Sequence, residues 1–178
     1  MPQILGKNVG PTGFGMMGLT AKRPPAPEAQ ALATLEAALR VGSNFWNGGE
    51  FYGPPDANSL VLLEKYFAQH PEDADKVVLS IKGAFNHATM GADGSPDAIR
   101  QSIDGCLAQL QGRKKIDIFE CARRDPNVPF ALSLGTIDKE YVQTGKVGGV
   151  GLSEVCADTI HEAVRHTKIA AVEVELSL

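Results

Sequence analysis

The chain has 178 residues, 43% of them hydrophobic and 21% charged, with a formal charge of −4. That length suits one soluble globular domain, read as residues 1–178, burying roughly 70% of the surface of its unfolded chain. The acidic balance leaves no basic footprint for nucleic acid or an anionic membrane, and no apolar run approaches the ~20 residues that cross a bilayer.

The N-terminus, Met1-Pro2-Gln3-Ile4-Leu5-Gly6-Lys7, lacks the regions of a signal peptide. Cys106, Cys121 and Cys156 fit neither a disulfide framework nor a CxxC metal site, so reduced thiols in the cytoplasm are expected. His70, His87, His161 and His166 show no ligand spacing, and no metal is expected.

Short apolar runs alternate with amphipathic segments along the chain. The run around Phe14-Gly15-Met16-Met17 precedes a Pro-rich loop, and Glu28 to Val41 reads as a helix with Ala31, Leu32, Leu35, Ala38 and Leu39 on one face. Asn44-Phe45-Trp46-Asn47 is a short buried strand, and Asn58 to Gln69 a helix. Lys76 to Lys82 is the clearest strand. Ser95-Pro96-Asp97 opens the next helix with a cap residue, a proline at N1 and an acidic first turn; it runs to about Gln111. Ile116 to Cys121 is a strand, Phe130 to Thr144 a helix, and Val147 to Leu152 a glycine-rich strand. Ser153 is placed to cap a helix reaching about His166, and Ile169 to Glu175 is a final strand.

Strands alternating with helices imply right-handed βαβ crossovers and a parallel sheet. A doubly wound nucleotide-binding sheet would show GxGxxG between its first strand and helix, whereas no helix directly follows Gly10-Pro11-Thr12-Gly13-Phe14-Gly15. Polar residues instead punctuate strand ends, at Asn47, Lys82, Arg123, Ser153, Glu154 and Glu173. Barrel active sites are built at that face, so the fold class expected is α/β, a (β/α)8 TIM-type barrel.

Two of these positions carry recognisable chemistry. A free tyrosine has a pKa near 10 and is a poor acid at neutral pH until its phenolate is stabilised. A nearby lysine ammonium does this, so Tyr52 and Lys82, delivered from consecutive strands, are the parts of a proton donor for a carbonyl oxygen receiving a hydride. On spacing alone the bland reading, a rim tyrosine and an ordinary strand-end lysine, stays open.

With these residues in view, the sequence resembles the aldo-keto reductases along essentially its whole length. Gly13-Phe14-Gly15-Met16-Met17-Gly18-Leu19 resembles the family's first strand and cofactor-facing loop, which implies cofactor contacts from Gly15 and Met16. Asn47-Gly48-Gly49-Glu50-Phe51-Tyr52-Gly53 is similar to its Asp-x-Ala-x-x-Tyr-Gly motif, and Val78 to Lys82 carries the matching lysine. Gly145 to Ser153 resembles the fifth-strand pattern, which implies that Ser153 and Glu154 hold a nicotinamide carboxamide, with Glu173 where many members have glutamine.

Two departures matter. The aspartate that orients the family's lysine is Asn47 here, and Ala122 stands where a strand-four histidine is usual. Loss of an anion beside Lys82 is expected to leave the lysine better able to acidify Tyr52, though less well placed. The phrases Trp46 to Gly53, Cys121-Ala122-Arg123 and Gly151 to Val155 resemble the fungal pyridoxal reductase branch. That narrower resemblance implies reduction of pyridoxal to pyridoxine with NADPH, with Tyr52 as acid, Lys82 as its tuner and Asn47 as a neutral partner that also faces the cofactor. The alternative is a catalytically inactive remnant or a non-enzymatic, reductase-like binding subunit.

A complete barrel takes about 250 residues and eight strands, so the chain is expected to be truncated after about its sixth strand. Open sheet edges would then invite self-association. The loop Phe85-Asn86-His87 is read as solvated rather than as pocket lining.

Overall fold

The computed structural model describes residues 2–86, 89 and 91–176; His87 lies outside the described residues. The chain opens on a hairpin, β1 (Gln3–Ile4) against β2 (Lys7–Asn8). Its turn residues Leu5 and Gly6 have φ of 51° and 77°, the mirror-image turn whose twist matches paired strands. After β3 (Phe14–Gly15) come a four-residue helix, α1 (Met17–Thr20), and α2 (Glu28–Arg40). β4 (Phe45–Gly49) leads into α3 (Ser59–Gln69). β5 (Val78–Gly83) leads into a second hairpin, β6 (Phe85–Asn86) with β7 (Gly91–Ala92), and then α4 (Pro96–Leu110). β8 (Ile116–Cys121), α5 (Phe130–Ile137), β9 (Val147–Ser153), α6 (Ala157–Ala163) and β10 (Ile169–Glu173) follow.

Six of these strands form one parallel sheet in the order β3-β4-β5-β8-β9-β10. Each strand lies beside its predecessor in the sheet and the order never reverses. A doubly wound sheet must reverse, whereas a barrel wall need not. The protein is therefore an α/β half-barrel with β3 and β10 as its edges.

Side-chain caps explain the starts of α3 and α4. The Asn58 carboxamide oxygen accepts from the Leu60 and Val61 amides, both at 3.0 Å, and Ser95 Oγ from the Ala98 amide at 3.3 Å. Ser153 caps no helix. It ends β9, and α6 begins only at Ala157. The segment expected as one helix from Phe130 to Thr144 divides at Ile137, where Asp138–Val142 continue as a π-helical turn.

The outer sheet face packs on the helices. Trp46 is fully buried, meets Tyr66 edge to face at 5.2 Å and donates from Nε1 to the Ser43 carbonyl at 2.8 Å; burying such a ring stabilises by about 1.5–3 kcal/mol. The N-terminal hairpin closes the foot of the inner face. A Cβ on Gly149 would stand 3.1 Å from a Leu5 methyl, and Lys7 Nζ donates to Asp117 at 2.9 Å. Among the described residues no helix is long and apolar enough to cross a membrane.

Candidate active site

Strand register sorts the inward-facing residues into layers, because partners across parallel strands share a face. One layer holds Gly49, Lys82, Glu120 and Gly151. The layer nearer the foot holds Asn47, Ser80 and Ile118, and the layer nearer the mouth pairs Ser153 with Glu173. Of the polar residues anticipated at strand ends, Asn47, Lys82, Ser153 and Glu173 thus converge from four strands, while Arg123 and Glu154 do not join them.

The side chains of Asn47, Ser80, Lys82, Glu120 and Glu173 form one network. Lys82 Nζ donates to Asn47 Oδ1 at 2.9 Å and to Glu173 Oε1 at 2.5 Å, and lies 3.7 Å from Glu120 Oε1. The same Glu120 oxygen accepts from Asn47 Nδ2 at 3.0 Å and from Ser80 Oγ at 2.9 Å. Glu120 is 2% exposed and Lys82 4%, so each charge has left water and depends on the other. The Glu173 side chain, 44% exposed, faces the open side.

Tyr52 reaches the network from the turn after β4. Its ring meets Phe51 edge to face at 4.9 Å, and Phe51 stacks on Phe85 at 4.7 Å. Gly49 leaves room for it, since a Cβ there would stand 3.2 Å from the Tyr52 ring. The Ser59 amide donates to the Tyr52 carbonyl at 3.1 Å and ties the turn to the start of α3. Burial holds the Tyr52 hydroxyl above the usual tyrosine range. The charge of Lys82 and its hydrogen bonding pull it down, while Glu173 and Glu120 push it up.

This overturns the expectation that Lys82 lacks an anion. Two carboxylates face it, so Tyr52 is held as the phenol rather than sharply acidified. Burial likewise raises the Glu120 carboxyl, with Lys82 opposing. Glu120 was missed as a functional residue although its signal was present. It is a charge inside an apolar run on a parallel strand, where near-continuous apolar sequence is the rule.

The residues expected to meet a cofactor are placed unequally. Ser153 is 1% exposed, and its hydroxyl is buried without a hydrogen-bond partner. A buried orphan hydroxyl at the barrel mouth fits a polar ligand group such as a carboxamide. Gly15, paired with Asn47, has open space where a Cβ would point. Met16 offers backbone only: its side chain is fully buried in the core, and its Cε would lie 2.7 Å from a Cβ on Gly48. Glu154 is exposed and has a φ of 53°, and its amide donates to the Glu173 carbonyl at 2.8 Å. Ala122 is buried, and Arg123 turns back onto the Ala122 carbonyl at 2.6 Å.

A cavity of about 590 Å³ lies beside this network rather than over it, walled by residues that include Glu50, Asn58, Ser102 and Gln109 between α3 and α4. The titratable groups converge instead on the open face. His70, Glu72 and Asp73 gather within 4.8 Å at the opposite end of the sheet. There Asp73 already binds the Tyr66 hydroxyl at 2.8 Å and Lys76 at 2.7 Å.

The sequence pattern of the Aldo/keto reductase family matches residues 11–178. The chain belongs to this family. It is 45% identical over 180 residues to "Probable pyridoxal reductase 2" of Schizosaccharomyces pombe, a match covering 100% of this chain and 54% of that protein. An uncharacterized oxidoreductase of the same yeast is 39% identical over 180 residues, covering 100% and 53%. The chain therefore spans about half the length of the curated relatives it matches. Among solved structures, a thermostable aldo-keto reductase in complex with the inhibitor epalrestat superposes with a TM-score of 0.81 at 18% identity, over 98% of this chain and 62% of that one. A glycerol dehydrogenase from Gluconobacter oxydans gives 0.79 at 19%, over 96% and 53%. At such identities the likeness concerns the fold.

Proposed function

We propose that the protein reduces an aldehyde to an alcohol with NADPH in the cytoplasm, and that the aldehyde is pyridoxal. The observation that carries this reading is Tyr52 set beside a buried lysine at the mouth of an aldo/keto reductase half-barrel. The 45% identity to a protein named as a pyridoxal reductase supports the substrate.

Tyr52, held as the phenol, gives its proton to the carbonyl oxygen as that oxygen gains charge. Lys82 stabilises the phenolate left behind, and the burial that disfavours this anion also strengthens the lysine's pull on it. Asn47 and Glu173 hold the ammonium in place. A nicotinamide, when bound there, would supply the hydride that the carbonyl carbon takes up. Ser153, with its orphan hydroxyl, Glu154 and the Gly15–Met16 backbone would hold that ring against the mouth.

The second reading, a reductase-like binding subunit without turnover, is favoured by the two carboxylates that offset the charge of Lys82. One experiment separates the two: pyridoxal-dependent NADPH oxidation by the chain, with Tyr52→Phe alongside. Reduction requires turnover that Tyr52→Phe lowers at least ~100-fold. A binding subunit shows cofactor binding and no turnover in either protein.

A further inference from the structure

We infer that Glu120 is a positioning residue for Lys82 and Tyr52: an anion set on the strand next to the lysine, which acts across the neutral amide of Asn47. This assignment rests on reading Tyr52 as the proton donor.

The hydrogen-bond chemistry leaves one arrangement. A lysine ammonium only donates and a carboxylate only accepts. Asn47 lies between the two, accepting from Lys82 at 2.9 Å through Oδ1 and donating to Glu120 at 3.0 Å through Nδ2. Reversing the amide would set its NH2 against the ammonium and its oxygen against the carboxylate. Glu120 therefore fixes the direction of Asn47, and Asn47 presents its carbonyl to Lys82. Ser80 Oγ, 2.9 Å from the same Glu120 oxygen, anchors the carboxylate.

The barrel wall is shaped around this carboxylate. Across β9 from Glu120 the residue is Gly151, where a Cβ would stand 3.3 Å from the Glu120 Cβ and 2.7 Å from an Ile118 methyl. A side chain at 151 would clash with Ile118 and press on the Glu120 side chain.

Positions 47 and 120 are consequently coupled. An aspartate at 47 beside Glu120 would put two carboxylates about 3 Å apart, so the second ionises only at higher pH, and at the alkaline pH of the Tyr52 midpoint both carry charge. The site accommodates one acid at 47 or one at 120. The groups facing Glu120 are Lys82 and Ser80 from β5, Asn47 from β4, Glu173 from β10 and Tyr52 from the turn after β4; the Cys121 thiol, next to it on β8, lies on the opposite face among Phe130 and Leu134.

The test is the ionisation midpoint of Tyr52, read by phenolate absorbance on the full chain against a Tyr52→Phe blank, in Glu120→Gln, Asn47→Asp and the double variant. Gln keeps the shape and hydrogen bonds of Glu120 and removes its charge. Glu120→Gln should lower the midpoint, Asn47→Asp should raise it, and the double variant should return it to the wild-type position. Where the chain turns over pyridoxal, each single variant should change kcat about tenfold or more and the double should recover to within about threefold.

A midpoint unmoved by Glu120→Gln, or a double variant as displaced as Asn47→Asp alone, would overturn the assignment. If Glu120→Gln does not fold, the displacement in Asn47→Asp and its relief in the double variant read the same coupling. Absent turnover with the stated midpoint shifts removes the proposed reduction and leaves Glu120 assigned. Tyr52-dependent turnover with immobile midpoints does the reverse.

Discussion

The two ends of the parallel sheet each hold a network of lysines and carboxylates, and they are built to opposite balances. At the foot, Asp117 accepts from Lys7 at 2.9 Å, Lys114 at 2.7 Å and the Leu79 amide at 2.9 Å. Two cations there surround one anion, and the N-terminal hairpin covers the site. At the mouth one cation, Lys82, is shared by Glu120 and Glu173, next to a tyrosine and a hydroxyl with no partner. The Asp117 network is saturated and closed, so its charges hold β5, β8 and the hairpin together. The mouth is left under-satisfied and open, which costs stability and leaves groups free to act on a ligand. Barrels divide labour in this way, with stability at one face and chemistry at the other.

Breaking the foot should have the largest effect on stability. Asp117→Ala leaves Lys114 buried without its anion, and we expect a loss of about 3–5 kcal/mol in urea unfolding. The Tyr52 ionisation midpoint of the folded protein should stay where it is. A shift there would join the two ends that the comparison keeps apart.

Lys82→Met should destabilise less, by about 1–3 kcal/mol, because Glu120 can answer the loss by binding a proton. It should raise the Tyr52 midpoint and lower pyridoxal reduction at least ~100-fold. Phenolate titration and steady-state kinetics check the two halves.

The buried Glu120 carboxyl gives the mouth a pH signature. Its folded pKa is raised above the unfolded value of 4.5, so in the window just above 4.5 the native state binds more protons than the unfolded one. Stability from this group is present below that window and is lost as pH rises through the raised folded value. Against Glu120→Gln, the wild type should lose unfolding free energy as pH climbs from 4.5, measured by denaturant melts at stepped pH. An opposite slope would mean that Lys82 outweighs burial.

Ser153→Ala should be the mildest. A hydroxyl without a partner contributes no hydrogen bond, so stability should stay within about 0.5 kcal/mol of the wild type. NADPH should nonetheless bind about five- to tenfold more weakly, read by cofactor fluorescence titration.

The mouth was legible in the sequence where one residue carried the signal. Tyr52, Lys82 and Asn47 were legible through the resemblance to the family's motif, although Asn47 lies in the middle of β4 and Tyr52 in the turn after it, and alternating strands and helices pointed to the half-barrel. The pairing of Asn47 with Glu120 was not legible, because 73 residues separate them and only strand register brings them together. Glu120 was read as one more strand residue, and that hid the anion whose absence had been inferred from Asn47. The hairpins β1–β2 and β6–β7 were missed because strands of two residues show no period to detect. Ser153 was misplaced as a helix cap because serine suits a cap and a strand end equally well by type. Its missing partner appears only in three dimensions.

The account rests on Tyr52 as the proton donor. The most direct measurement is the rate of pyridoxal-dependent NADPH oxidation in the wild-type chain and in Tyr52→Phe, which removes one oxygen. We predict turnover in the wild type and a fall of at least ~100-fold in the variant, with cofactor affinity unchanged. Equal rates in the two proteins, or no turnover by a wild-type chain that binds NADPH, would contradict it.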